Sequence, residues 1–125
     1  MAGTGQTVVI IDDDDSVRRA LCRLLRSVGL TTAPFATAEE FLQTPPQPAP
    51  GCLVLDVHLP GLGGLELHER LKAEGPCPPV VFITAYGNDR MPKLALSRGA
   101  IAFLTKPFEE KALLDAVAGA MHSRN

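Results

Sequence analysis

Two kinds of apolar pattern alternate along this chain. Unbroken, largely aliphatic runs at Thr7–Ile11, Leu53–Leu55, Val80–Thr84 and Ala100–Leu104 lack polar alternation, as strands buried on both faces of a parallel sheet do. A weaker run, Leu30–Phe35, contains Pro34, which cannot donate a ladder hydrogen bond and so predicts a strand at a sheet edge. Between these runs apolar residues recur at helical spacing. Val17, Leu21, Leu24, Leu25 and Val28 define a first helix that stops at Gly29. Thr37-Ala-Glu-Glu40 has the form of a capping box opening a short second helix through Phe41 and Leu42, and Pro45, Pro46, Pro48 and Pro50 forbid its continuation. Leu65, Leu67 and Leu71 mark a third helix. Leu94, Ala95 and the residues up to Arg98 mark a fourth, stopped by Gly99, and Leu113, Leu114, Val117 and Met121 mark a fifth within Glu109–Met121. Pro92 falls near the start of the fourth helix, where a missing N–H has no partner to lose.

Strands and helices in strict alternation predict an α/β three-layer sandwich with right-handed crossovers. The flavodoxin-like strand order 2-1-3-4-5 puts the proline-bearing second strand at the edge and the first and third side by side. Residues just past the carboxyl ends of the strands then share one crevice.

The 125 residues, 46% of them hydrophobic, suffice for one domain over 1–125 with a sizeable core and leave no room for a second. A formal net charge of −2 carries no basic excess for nucleic acid. No apolar run approaches the length of a membrane span, and the first residues lack the basic-then-apolar order of a secretory signal. Cys22, Cys52 and Cys77 form no C-x-x-C pair and leave one over in any disulfide scheme. They are expected to be small packing residues in a reducing, cytoplasmic setting.

Chemistry enters at the strand ends. Asp12, Asp13, Asp14 and Asp15 follow the first strand, Asp56 the third, Thr84 the fourth and Lys106-Pro107 the fifth. A dinucleotide-binding version of this fold places glycines after its first strand to hold an anionic pyrophosphate, whereas four carboxylates there repel phosphate and attract a cation. Carboxylates packed near Asp56 cannot all stay ionised cheaply unless a divalent ion compensates, and hard oxygen ligands select Mg²⁺ or Mn²⁺ over zinc. A phosphoryl group in transit could rest one oxygen on the metal, a second on Lys106 and a third on the Thr84 hydroxyl, leaving the Asp56 carboxylate to attack phosphorus.

Four segments can be set beside a known family: Ile11-Asp-Asp-Asp-Asp-Ser-Val-Arg18, Leu55-Asp56-Val-His-Leu-Pro60-Gly61, Ile83-Thr84-Ala85 and Gly99-Ala-Ile-Ala-Phe103-Leu-Thr-Lys106-Pro107-Phe108. In this order and spacing they closely resemble the receiver domain of bacterial two-component response regulators, particularly its FixJ-like branch, over essentially the whole chain. The resemblance implies Asp56 as phosphoacceptor and a Mg²⁺ site made by Asp13 as direct ligand, Asp12 acting mainly through metal-bound water, Asp56, and the His58 backbone carbonyl. It implies that Lys106 contacts the phosphoryl group, that the bond before Pro107 is cis, and that Thr84 and Phe103 form a switch pair. The implied partner is a sensor histidine kinase. The implied output is a phosphorylation-dependent homodimer or effector contact through the surface of the fourth helix, fifth strand and fifth helix. Transcription regulation is implied where a DNA-binding domain follows. No enzyme activity beyond the domain's own phosphorylation and dephosphorylation is implied.

Other features receive plainer readings. Asp14 and Asp15 match no ligand position and suit a solvated helix N-terminus. His68 and His122 are expected on helix surfaces. Arg18, Arg19, Arg23 and Arg26 form a polar face on the first helix, a solvated surface or a docking site for a kinase. Gly63 stands where the family's loop often has a polar residue, which predicts a looser loop, and Pro92 alters the signalling surface. Two alternative functions follow from the same residues. One is a Mg²⁺-dependent phosphohydrolase with an aspartyl-phosphate intermediate, although no second acid follows Asp56 in an x-Asp-x-Asp arrangement. The other is a pseudo-receiver that binds partners without being phosphorylated.

Overall fold

The β-branched and aliphatic runs become five parallel strands in the computed structural model, which describes residues 7–44, 50–85 and 90–122. The strands are β1 (Thr7–Ile11), β2 (Thr31–Phe35), β3 (Cys52–Asp56), β4 (Val80–Thr84) and β5 (Ala102–Thr105). The helices between and after them are α1 (Asp15–Ser27), α2 (Ala38–Gln43), α3 (Gly64–Ala73), α4 (Arg90–Ser97) and α5 (Glu110–His122). The sheet order is β2-β1-β3-β4-β5, with β2 and its exposed Pro34 at one edge. Period-two side-chain alternation divides the core in two. Val9, Ile11, Leu53, Leu55, Val80 and Phe82 pack against α2, α3 and α4, and Val8, Ile10, Cys52, Val54, Val81 and Ile83 against α1 and α5.

Strand ends differ from expectation where turns absorb residues. β3 includes Asp56, so this carboxylate closes its strand instead of following it. β5 starts at Ala102 because Gly99, at φ 103°, and the next two residues complete the exit from α4. There Ala100 N donates to the Ala95 carbonyl and Ile101 N to that of Val80. α1 starts at Asp15 because the Asp14 carboxylate accepts from Ser16 N and Val17 N as an N-cap, a more specific role than the solvated helix N-terminus expected of this acid. Only half of the capping box at α2 is made. Thr37 Oγ1 accepts from Glu40 N, but the Glu40 carboxylate reaches Ala36 N instead of Thr37 N. Pro45, Pro46 and Pro48 lie outside the described residues.

Two further expectations need correction. The loop around Gly63 is braced: Glu39 of α2 accepts from Leu62 N at 2.8 Å and Glu66 of α3 accepts from Gly63 N at 2.9 Å. His68 is not on a surface. Gly64, Leu67, His68 and Leu71 form the i, i+3, i+4, i+7 stripe that α3 turns inward, and His68 is buried with them at 3% exposure. The His122 side chain lies outside the described residues.

Gly64 carries a steric requirement. A methyl group there would run into the Asp56 carbonyl oxygen and lie 3.1 Å from Val57 Cα, so α3 can start beside the end of β3 only with glycine at this position. Gly64→Ala is therefore expected to cost about 2 kcal/mol in urea unfolding, within the range for overpacking against backbone. Gly119→Ala, on the exposed side of α5 with nothing within 4 Å, should be neutral or stabilising by up to about 1 kcal/mol.

Candidate functional site

The adjacency of β1, β3, β4 and β5 brings residues 94 positions apart within hydrogen-bond range. As the chain leaves β1, Asp12 N donates to the Phe35 carbonyl of β2, and the fully buried Asp12 carboxylate accepts from Asp14 N at 2.8 Å. Arg18, one helical turn into α1, donates to the Asp12 carbonyl at 2.8 Å and so fixes the turn from the other side. At the end of β3 the nearly buried Asp56 accepts from His58 N at 2.8 Å. Lys106 follows β5, anchored by its N–H to the Thr84 carbonyl at 2.7 Å, and the Lys106–Pro107 peptide is cis. Its ammonium lies 2.9 Å from Asp12 Oδ2 and 3.1 Å from Asp56 Oδ2.

Asp13 points to the open side. One carboxylate oxygen from each of Asp12, Asp13 and Asp56 lies within 4.8 Å of the others, the one such cluster found among the described residues. Asp13 and Asp56 border a cleft of about 380 Å³ that Asp14, His58, Ala85 and Lys106 also line. Donors here are oxygen atoms, with no thiolate in the cleft, so the cluster suits a hard cation, which would hold Asp12, Asp13 and Asp56 together against their mutual repulsion. Thr84 is buried where β4 ends beside Asp56 and Lys106. Phe103, one strand over, is half-buried with its ring centroid 6.4 Å from that of Phe82. Asp15 stays outside the cluster and pairs with Arg18 and Arg19 on the α1 surface.

Burial pushes the Asp12 carboxyl above its ordinary range, and the neighbouring Asp56 charge adds to this, against the opposing hydrogen bonds from Lys106 and Asp14 N. Burial works to lower Lys106, but its hydrogen bonds to Asp12 and Asp56 prevail and hold it above the usual lysine value. The ammonium is therefore fully charged at neutral pH. Two supports were not visible in the sequence. Arg18 closes the Ile11–Arg18 segment and Glu39 lies in the Thr37–Glu40 capping box, but the contact of Arg18 to a carbonyl six residues back and the brace of Glu39 on Leu62 depend on how the loops fold and follow from neither pattern.

Comparison with known proteins agrees with this geometry. A family model described as the response regulator receiver domain matches residues 8–118. Nodulation protein W of Bradyrhizobium diazoefficiens is 44% identical over 119 residues, covering 95% of this chain and 52% of that protein. Transcriptional regulatory protein FixJ of Azorhizobium caulinodans is 40% identical over 114 residues, or 91% of this chain and 54% of that one. Among solved structures, the response regulator StyR superposes with a TM-score of 0.88 at 47% identity, over 95% of this chain and 60% of StyR. The chain spans about half the length of the curated relatives it matches.

The raised Asp12 pKa has a definite sign for stability. The native state takes up a proton at Asp12 before the unfolded chain does, so this position stabilises the fold increasingly as pH falls through the raised value towards about 4. At neutral pH the ionised carboxylate costs stability in the metal-free protein. Asp12→Asn should raise the metal-free stability at pH 7.5 by about 1 kcal/mol and flatten the acid-side rise, measured by urea melts in EDTA. A drop in stability at pH 7.5 would mean that the attraction of Lys106 outweighs burial.

Proposed function

The chain belongs to the response regulator receiver domain family, and from that premise we propose that Asp56 accepts a phosphoryl group from the phosphohistidine of a sensor histidine kinase. The observation that carries this reading is the Lys106 ammonium between Asp12 and Asp56, at 2.9 and 3.1 Å. It brings a positive charge to the atom that must act as nucleophile and to the place where phosphoryl oxygens would accumulate charge. One Asp56 oxygen forms the new bond to phosphorus as the bond from phosphorus to the donor imidazole breaks, and the imidazole nitrogen leaves with the electron pair. Lys106 orients the carboxylate before transfer and pairs with a phosphoryl oxygen afterwards. Magnesium, when bound, would be held by Asp13, Asp56 and the His58 carbonyl, with Asp12 acting mainly through metal-bound water, and would supply charge neutralisation for the incoming phosphoryl oxygens. His58 N–H, already bonded to Asp56, keeps that peptide beside the carboxylate.

The Thr84 hydroxyl then hydrogen-bonds the phosphoryl group, drawing the end of β4 towards Asp56 and leaving space for Phe103 to turn inward. Leu94, Leu96 and Ile101 are exposed on and after α4, so a shift there alters an apolar surface available for self-association or an effector. A near-complete shift requires phosphorylation to favour the active form by about 5.5 kcal/mol. Since relatives of about twice the length are transcriptional regulators, control of a DNA-binding domain in a cytoplasmic regulator is the output this reading favours. The chain acts as a phosphoacceptor and not as a turnover enzyme, in keeping with His58 where a phosphohydrolase of this chemistry would carry a second acid.

Incubation with acetyl phosphate and Mg²⁺ is expected to add one phosphoryl group to the intact mass, and Asp56→Asn to add none. Thr84→Ala should still be labelled but lose the accompanying change in elution on size exclusion. Mg²⁺-dependent label on another residue, or many turnovers of small phosphate esters per chain, would overturn the assignment.

A further inference from the structure

Outside the acidic cleft, α3 and the exit of α4 share a second group of titratable side chains. His68 Nδ1 is the one buried side-chain nitrogen or oxygen without a hydrogen-bond partner among the described residues. An orphaned buried acceptor or donor costs free energy that the surrounding packing must offset. The ring lies edge-on to Phe82, with centroids 5.5 Å apart and planes at 69°, and Phe82 is the cross-strand partner of Phe103. A row of three rings thus runs from α3 across β4 to β5.

Above this row sits a charged seam. The Lys72 ammonium donates to the Arg98 carbonyl at the end of α4, and Glu69 lies 3.3 Å from Lys72 and 3.6 Å from the Arg98 guanidinium. These contacts tie the carboxyl end of α4 to α3. Lys72 and Arg98 oppose a positive charge on His68, Glu69 favours one, and β4 presents the Phe82 ring. A protonated His68 cannot stay against Phe82 without paying for its desolvation, and the acid that favours its charge, Glu69, is the one that Lys72 and Arg98 already share.

We propose that the seam between α3 and the exit of α4 is a proton-sensitive clamp. With His68 neutral it holds α4 against α3. When His68 takes up a proton, the imidazolium moves outward and competes for Glu69, the Lys72 and Arg98 contacts open, and both α4 and the Phe82–Phe103 pair are released. Acidification thereby becomes a second input to the same helix, acting without any phosphoryl group. Burial holds the His68 pKa below the ordinary histidine value, so the closed form is complete above about pH 6.5 and is lost as pH falls through the lowered value.

The test is hydrogen exchange at the Arg98, Gly99 and Ala100 amides, which close the α4 exit, in the full chain without Mg²⁺ or phosphodonor. Failure of the clamp is therefore separable from failure of Asp56 phosphorylation. After correction for intrinsic rates, wild type should lose about two- to fivefold protection between pH 7.5 and 5.5, His68→Gln should lose none, and Lys72→Met should be open at both. Asp12 also titrates above its usual range, and subtraction of the His68→Gln profile removes its contribution. Unchanged wild-type protection, or an equal loss in His68→Gln, overturns the clamp. Should His68→Gln not fold, NMR of the wild type decides. Phe103 ring signals that follow the His68 titration midpoint support the clamp, and Phe103 signals indifferent to it overturn it.

Discussion

A single ammonium group sits between two carboxylates that the sheet would otherwise press together uncompensated. Asp12 is fully buried and Asp56 nearly so, and Lys106 reaches both. Burial makes the charged forms costly while the ion pair makes them tenable, so the site rests in a state that a further cation can improve. In the proposed function, that unfinished electrostatic balance is what prepares Asp56 for chemistry. A carboxylate paired to satisfaction would gain little from a metal, and one protonated at neutral pH would be a poor nucleophile.

The rest of the fold serves this balance by position. The order β2-β1-β3-β4-β5 places the ends of β1, β3, β4 and β5 in one row, so Asp12, Asp56 and Lys106 meet although they are distant in sequence. Gly64 lets α3 begin against the carbonyl of Asp56, and the Glu39 and Glu66 carboxylates hold the loop between them. Behind the cleft, Phe82 and Phe103 link the end of the sheet to α4, whose exit is fastened by side chains of α3.

Much of this could be read from residue pattern. Unbroken aliphatic runs placed the strands to within a residue or two, and Pro34 placed β2 at the edge, because backbone hydrogen bonding and burial act locally. The site was legible for a different reason: in a parallel α/β fold, strand ends are where side chains converge, so acids and a lysine at those positions identify one another. What escaped was set by tertiary contact. His68 looks like a surface residue until the phase of α3 is known, and a stripe through Gly64 and His68 gives little apolar signal. Glu40 capping Ala36 in place of Thr37, and Arg18 reaching back to the Asp12 carbonyl, depend on loop geometry that no spacing rule contains.

Fluorine NMR with beryllium fluoride, a stable mimic of the phosphoryl group, addresses the central claim most directly. If Asp56, Lys106 and the acidic cluster form one phosphoryl-accepting site, a bound resonance should arise at one equivalent per chain, only with Mg²⁺ present, and vanish when Lys106 is replaced by Met. A bound signal indifferent to both Mg²⁺ and Lys106, or none at all in the wild type, would contradict it.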